Sequence, residues 1–183
     1  MSVIENLLNA DVEISQKLRL PANAKVARAV ASFFSHSGDS WFWLPVLFLI
    51  WLFNRNSWHT ISAFMAGSIL ALAALVMGIK FIVRRQRPVG DWGAIYRNTD
   101  PHSFPSGHAA RSIMLAILCW KFGLQPLAWV LTIWVPLVSL SRVMMGVHYL
   151  IDVIVGWALG FITALGLLAL QPLLYSLFHF ILF

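Results

Sequence analysis

Hydrophobic positions along the chain fall into two regimes. Through residues 3–20, Val3, Ile4, Leu7, Leu8, Val12, Ile14 and Leu18 stand among polar partners at a loose helical spacing. That pattern predicts an amphipathic helix lying in a membrane interface, ended by Pro21. Residues 22–37 predict a second short amphipathic helix, so 1–38 reads as an interfacial segment. "GDS" at 38–40 then offers a turn and a helix cap. Beyond it the apolar positions become continuous, in runs over Trp41–Phe53, Ile61–Ile79, Gly107–Phe122, Leu124–Ser141, and from Tyr149 to the C-terminus. Pro172 is placed to kink or divide the last run. The first run is short for a span; it crosses a bilayer if its helix begins upstream near Phe33 or if the bilayer thins around it. The whole pattern predicts an all-α, polytopic membrane helix bundle, with about five transmembrane helices behind the N-terminal interfacial helices.

Composition narrows the function. Of 183 residues, 60% are hydrophobic and 11% charged, against about 25% charged in an average soluble domain. The mean hydropathy is +0.78. The length suits one integral-membrane domain over 1–183, with no room for a second, soluble one. The net charge of +6 fits anionic lipid or an anionic substrate. So few charges on so apolar a chain argue against a nucleic-acid groove. The lone Cys119 excludes an intrachain disulfide and a thiolate metal site. The first residues lack an apolar core followed by a small-residue cleavage site, so no secretory signal peptide is expected.

The chemistry lies in the loops. Residues 80–104, between the second and third apolar runs, hold five basic side chains: Lys80, Arg84, Arg85, Arg87 and Arg97. If the helix continues to Pro88, Lys80, Arg84 and Arg87 share one face, where a lysine point charge and an arginine fork suit a phosphate. The plainer reading is that basic residues flanking a span reach toward headgroups, and it is preferred for Arg84 and Arg85. In "SFPSGHAAR", residues 103–111, Ser106 and Gly107 stand at a helix start that attracts anions, with His108 beside them as a proton donor near neutral pH. A generic turn with an interfacial histidine explains the same stretch. Arg111 shares the face of His108 and either adds charge to the pocket or pairs within the bundle. In "SRVMMGVHYLID", residues 141–152, His148 and Asp152 are four apart on a predicted helix. The carboxylate there fixes one ring nitrogen and frees the other to attack, with Arg142 as a further donor. A structural His–Asp hydrogen bond or a metal pair are the alternatives, and the neighbouring cations disfavour a metal. Alternating spans would bring both loops out on one face.

The three motifs together, "K" plus six residues plus "RP" at 80–88, "PSGH" at 105–108, and "SR" plus five plus "H" plus three plus "D" at 141–152, resemble the type 2 phosphatidic acid phosphatase family. That family also embraces the vanadium-dependent haloperoxidases. The resemblance covers residues 80–152 and implies roles: His148 attacks phosphorus to form a phosphohistidine, Asp152 orients it, and His108 protonates the leaving oxygen. Lys80, Arg87, Ser106, Gly107 and Arg142 hold the phosphoryl oxygens, and no metal or other cofactor is required. The partners implied are a lipid phosphate substrate and the bilayer. The "RRQRP" cluster followed by "SFPSGHAAR" leans toward polyprenyl diphosphate, with phosphatidylglycerophosphate, phosphatidate and lipid A phosphates as close alternatives. An anion transporter or channel, and a structural scaffold, are the readings from other classes.

Orientation sets two arguments against each other. The face with Arg55 and Lys121 has few cations, whereas the face with Lys17, Arg19, Lys25, Arg28 and the motif loops has most, which by the positive-inside rule is cytoplasmic. The resemblance implies the extracytoplasmic side of the inner (cytoplasmic) membrane, with the cations at 80–87 and 142 accounted for by phosphate.

Overall fold

A computed structural model describes residues 3–89 and 100–182. Among them the chain is all-α, in the order α1 (Val3–Leu18), α2 (Lys25–Ser37), α3 (Ser40–Phe53), α4 (Ser57–Val83), α5 (Gly107–Lys121), α6 (Gln125–Met144), α7 (Leu150–Ala169), α8 (Gln171–Leu177) and α9 (His179–Leu182). Helices α4, α6 and α7 are long and apolar enough to cross a membrane. α3 is apolar but shorter. Its helix begins at Ser40 and not near Phe33, because the chain breaks at Gly38 and Asp39. Fourteen residues span about 21 Å, well under the ~30 Å of a bilayer core. Apolar side chains such as Leu70, Ile82, Val130, Ile133 and Ile162 point outward, as lipid-facing positions should.

α5 lies at the centre. It packs against α4, α6 and α7, and Ala109, Ala110, Met114, Leu115, Leu118 and Cys119 are buried. Protein and not lipid surrounds it, which is why it tolerates polar residues: Arg111 Nη1 donates to the Gly38 carbonyl at 2.9 Å, and the Ser112 hydroxyl to the Ala109 carbonyl at 2.9 Å. Pro172 divides the C-terminal run as expected, entering the first turn of α8 after a break at Leu170.

Two boundaries differ from the sequence expectation. α4 stops at Val83, five residues before Pro88, because Arg84 takes the left-handed conformation (φ 52°, ψ 32°). The shared helical face for Lys80, Arg84 and Arg87 therefore does not exist. Likewise His148 precedes α7, so its relation to Asp152 is not that of two residues one turn apart on a helix.

The α5–α7 contact depends on two glycines. A Cβ added at Gly156 would lie 2.6 Å from the Ser106 carbonyl oxygen, and one at Gly160 would run into that of Ala110. Small residues four apart allow this backbone approach. Gly160→Ala should therefore overpack the seam, at a cost of about 1–3 kcal/mol. The check is the thermal midpoint in detergent, which should fall by several degrees; an unchanged midpoint would show that the helices can separate freely.

Candidate active site

Both motif loops converge at one end of the bundle, as the alternation of spans predicts. Beyond α4 the chain turns back, and a bridge between Gln86 and His102 with a Ser103 N–H to Arg85 carbonyl bond of 2.8 Å clips the two limbs of the loop together. The expectation placed on Arg97 lies outside the described residues. On the near limb, Arg87 donates from Nη1 to the Val147 carbonyl at 2.8 Å, which ties the first motif to the third. Its Nε reaches the Asp100 carbonyl at 2.7 Å and its Nη2 the Asp100 carboxylate at 2.7 Å. Lys80 Nζ, nearly fully buried, bonds the same Asp100 oxygen at 2.5 Å and the His102 carbonyl at 2.9 Å. Lys80 and Arg87 thus meet on one anion although they share no helix face.

"PSGH" opens α5 as expected, with Ser106 at the N-cap and Gly107 and His108 as the first helical residues. The Ser106 N–H donates to the Asp152 carbonyl at 2.9 Å, joining the second motif to the third. The Ser106 hydroxyl is buried and has no hydrogen-bond partner among the described residues. A buried hydroxyl without a partner is costly, and a ligand oxygen would relieve it.

His148 is almost fully buried, in the turn between α6 and α7. Its Nε2 is 3.3 Å from Arg87 Nη1. A guanidinium has only donors, so Nε2 faces it as an unprotonated acceptor and the ring proton sits on Nδ1. Nδ1 lies 3.6 Å from Asp152 Oδ2, just beyond hydrogen-bond reach. Asp152 is held otherwise: Oδ2 accepts the Tyr149 N–H at 2.9 Å, and Oδ1 accepts Arg85 Nη1 at 2.7 Å. Burial, then the charges of Arg87, Arg142 and Lys80, hold the His148 pKa well below its ordinary 6.5. A neutral imidazole with its lone pair toward the cations is the form that can attack phosphorus.

Arg142, almost fully buried, donates from Nη1 to the Ser35 hydroxyl at 2.6 Å. Lys80, Asp100, Gly107, His108, Arg111 and His148 surround a cavity of about 130 Å³ whose remaining wall is the apolar face of α4 from Ile69 to Met77. Cationic head and apolar wall together fit a phosphate carried on a lipid.

Residues 62–175 match the family described as the PAP2 superfamily. The chain belongs to the PAP2 superfamily. Among PAP2 relatives it is 41% identical over 138 residues to decaprenylphosphoryl-5-phosphoribose phosphatase of Mycobacterium tuberculosis, covering 72% of this chain and 73% of that protein. It is 34% identical to undecaprenyl-diphosphatase of Sulfolobus acidocaldarius, over 70% of this chain and 63% of that protein. Its fold matches the crystal structures of a transmembrane PAP2-type phosphatidylglycerolphosphate phosphatase from Bacillus subtilis (TM-score 0.72, 24% identity, 91% of this chain and 87% of that one) and of Aquifex aeolicus LpxE (TM-score 0.67, 22% identity, 86% and 93%). With these neighbours and its apolar helices, the chain is an integral membrane protein.

The sequence reading missed several residues that the structure brings to this end of the bundle. Arg85, read as a headgroup-seeking cation, instead bridges Asp152 Oδ1 and Asp11 Oδ2, both at 2.7 Å, and lies 4.1 Å over the Tyr149 ring. Arg84 keeps the expected exposed position. Asp11, from the amphipathic α1, also accepts the Ile151 N–H at 2.9 Å, while the Ser15 hydroxyl accepts the Leu150 N–H at 2.9 Å, so α1 caps α7. The only hint in the sequence was an acidic residue in a chain with seven. Removing Arg85 leaves two buried carboxylates unmatched, a loss of about 3–5 kcal/mol for a buried pair. Arg85→Met should therefore lower both the thermal midpoint and kcat, whereas Arg84→Met should change neither; parallel melting and phosphate-release assays decide it.

A second prediction follows from the neutral His148. Because its pKa is lowered, the free base of His148 persists on acidification, and if His148 is the nucleophile the acid limb of kcat/KM falls below pH 6.5. Arg87→Gln removes one of the cations responsible, so that limb should move up toward 6.5. The pH profile of both proteins, corrected for the substrate's own phosphate ionisation, is the measurement.

Proposed function

We propose that the chain removes the terminal phosphate of a polyprenyl diphosphate through a phosphohistidine on His148, at the extracytoplasmic side of the cytoplasmic membrane. The broader activity, hydrolysis of a lipid phosphate or diphosphate, is that of its PAP2 relatives. The observation that carries the reading is the convergence of Lys80, His108 and His148 on one cavity, with the Asp100 carboxylate in its wall bonded to both Lys80 and Arg87, and Arg87 beside His148 Nε2. An incoming phosphoryl group displaces that carboxylate and takes its place between the cations.

On this reading His148 Nε2 attacks the terminal phosphorus in line, a P–N bond forms and the bond from that phosphorus to the bridging oxygen breaks, with the polyprenyl monophosphate as leaving group. His108 gives a proton to the departing oxygen, and water then hydrolyses the phosphohistidine with His108 as base. Lys80, Arg87, Arg142, the Ser106 hydroxyl and the Gly107 N–H stabilise charge spread over the phosphoryl oxygens, the main source of catalysis in phosphoryl transfer. Asp152, 3.6 Å from the proton-bearing Nδ1, is the carboxylate toward which the His148 ring is oriented. The prenyl preference draws support from both prenyl-linked relatives and from the long apolar wall of α4 beside the cavity, and the diphosphate preference from the undecaprenyl-diphosphatase relative.

Purified chain should release phosphate fastest from polyprenyl diphosphate in a panel with phosphatidylglycerophosphate, phosphatidate and lipid A phosphates. Denaturation during turnover of a terminally ³²P-labelled substrate should trap label on the protein. His148→Ala should abolish both release and label, and normal turnover in that variant would end this mechanism. Activity should survive chelators and be inhibited by vanadate. For orientation, Cys119→Ala carrying a single cysteine at Asn98, which lies outside the described residues, or at Asn56 should react with an impermeant thiol reagent on intact cells at 98 and not at 56; the reverse pattern places the site in the cytoplasm.

A further inference from the structure

Near the cavity lies a second carboxylate–histidine contact, supplied by the N-terminal part of the chain. Residues 35–41, the end of α2, the turn at Gly38 and Asp39 and the start of α3, pack against the start of α5 and against α6. Ser35 takes the Arg142 bond, the Gly38 carbonyl takes the Arg111 bond, and the Ser37 hydroxyl takes Trp134 Nε1 at 2.8 Å. A Cβ added at Gly38 would come within 3.0 Å of both His108 Cδ2 and Val138 Cγ1, so glycine is what allows this approach. The next residue, Asp39, places Oδ1 2.5 Å from His108 Nε2. Its Oδ2 is held by the Trp41 indole N–H at 2.9 Å and lies 3.1 Å from His36 Nδ1.

Asp39 occupies the N-cap of α3, where an aspartate ordinarily accepts a helix N–H. Here its side chain makes no such bond. Both oxygens are committed to side chains, and one of those is His108. An Asp39 serving only to start α3 would leave this geometry unexplained.

We propose that Asp39 is the positioning residue for His108 as general acid: its Oδ1 accepts the Nε2–H, so that Nδ1 is the nitrogen that delivers the proton to the leaving oxygen. The proposal rests on the assignment of His108 under the proposed function. When the P–O bond breaks, the Nδ1 proton passes to the departing oxygen and the Nε2 proton stays in the bond to Asp39. In the second half-reaction Nδ1 accepts a proton from the attacking water, restoring the imidazolium. Asp39 stays ionised throughout. Burial opposes that charge, but the bonds from His108, His36 and Trp41 outweigh it and hold the carboxyl well below its usual range.

A group that acts through the general acid matters in proportion to how badly the leaving group needs a proton. The test compares kcat/KM for a long-chain alkyl monophosphate, which departs as an alkoxide, with that for p-nitrophenyl phosphate, which departs as a stable phenolate. General acid catalysis is worth about 10²–10⁴-fold. Asp39→Asn should lower the alkyl-to-aryl ratio of kcat/KM at least about tenfold, Asp39→Glu should restore much of it, and His108→Ala should lower it as far. Adding Asp39→Asn to His108→Ala should change the ratio little, since the two act as one unit. The ratio is taken on a single preparation, so it does not depend on the fraction that folds. An equal loss on both substrates, or a further fall in the double variant, overturns the role of Asp39. Full activity in His148→Ala would instead overturn the underlying mechanism, and the two failures are distinct.

Discussion

Backbone contact between α5 and α7 is the constraint on which the site depends. The neighbours that would meet a Cβ at Gly156 and Gly160 are the carbonyl oxygens of Ser106 and Ala110, so the seam fixes where α5 begins relative to α7. Between the helix starts, the Ser106 N–H to Asp152 carbonyl bond completes the registration. Asp152 serves twice in consequence. Its backbone oxygen holds "PSGH" while its side chain holds Arg85 and the Tyr149 N–H. His108 is thus placed by the start of a helix and His148 by the short turn that leads into α7, and the seam between the two helices fixes those starts relative to each other, as a site requiring positioning to within about half an ångström needs.

Charge is the second constraint. Thirteen Lys and Arg face seven Asp and Glu over the chain. Four of the seven, Asp11, Asp39, Asp100 and Asp152, gather at this one end. Each bonds a cation or a histidine whose burial would otherwise be unfavourable. Asp100 differs from the other three in being about a third exposed, at 30%. The fixed carboxylates are deep and structural, whereas the one standing between Lys80 and Arg87 sits where it can leave. Elsewhere pairing matters little: Glu13 and Lys17 meet at 2.6 Å, but on the open face of α1, where such a pair contributes little.

The hydropathy of the chain made the bundle legible, because a span of 20 apolar residues has few alternatives. The three motifs made most of the pocket legible, because their residues are close in sequence. What stayed hidden depends on partners far along the chain: Arg85 finds Asp152 67 residues away and Asp11 74 away, and Asp39 finds His108 across 69. Nothing in a periodic pattern separates Arg84 from Arg85. The chain leaves the helix between them, and a single left-handed residue sends one outward and the other to the site. Asp39 was legible as a cap position and was one, but its side chain was already engaged elsewhere. His148 and Asp152 do lie near each other, at 3.6 Å, but the start of α7 brings them there and not the pitch of a continuous helix.

That last difference bears on how two histidines in one cavity can take opposite parts. A nucleophile must be neutral, and His148 is surrounded by Arg87, Arg142 and Lys80, with its carboxylate engaged by Arg85 and at 3.6 Å. A general acid must be able to carry the proton it gives away; Arg142 and Arg111 oppose that charge at His108 too, so its part as acid rests on the carboxylate in direct contact with it. The asymmetry follows from where each carboxylate comes from. Asp152 lies inside the third motif and is shared with an arginine, so it orients more than it neutralises. Asp39 comes from the connection ahead of α3, and its oxygens meet His108, His36 and the Trp41 indole N–H, so its charge stands against the His108 ring. The N-terminal segment is therefore part of the proposed chemistry: α1 fixes the orienting arm through Asp11 and Arg85, and the α2–α3 connection supplies the counter-ion of the acid.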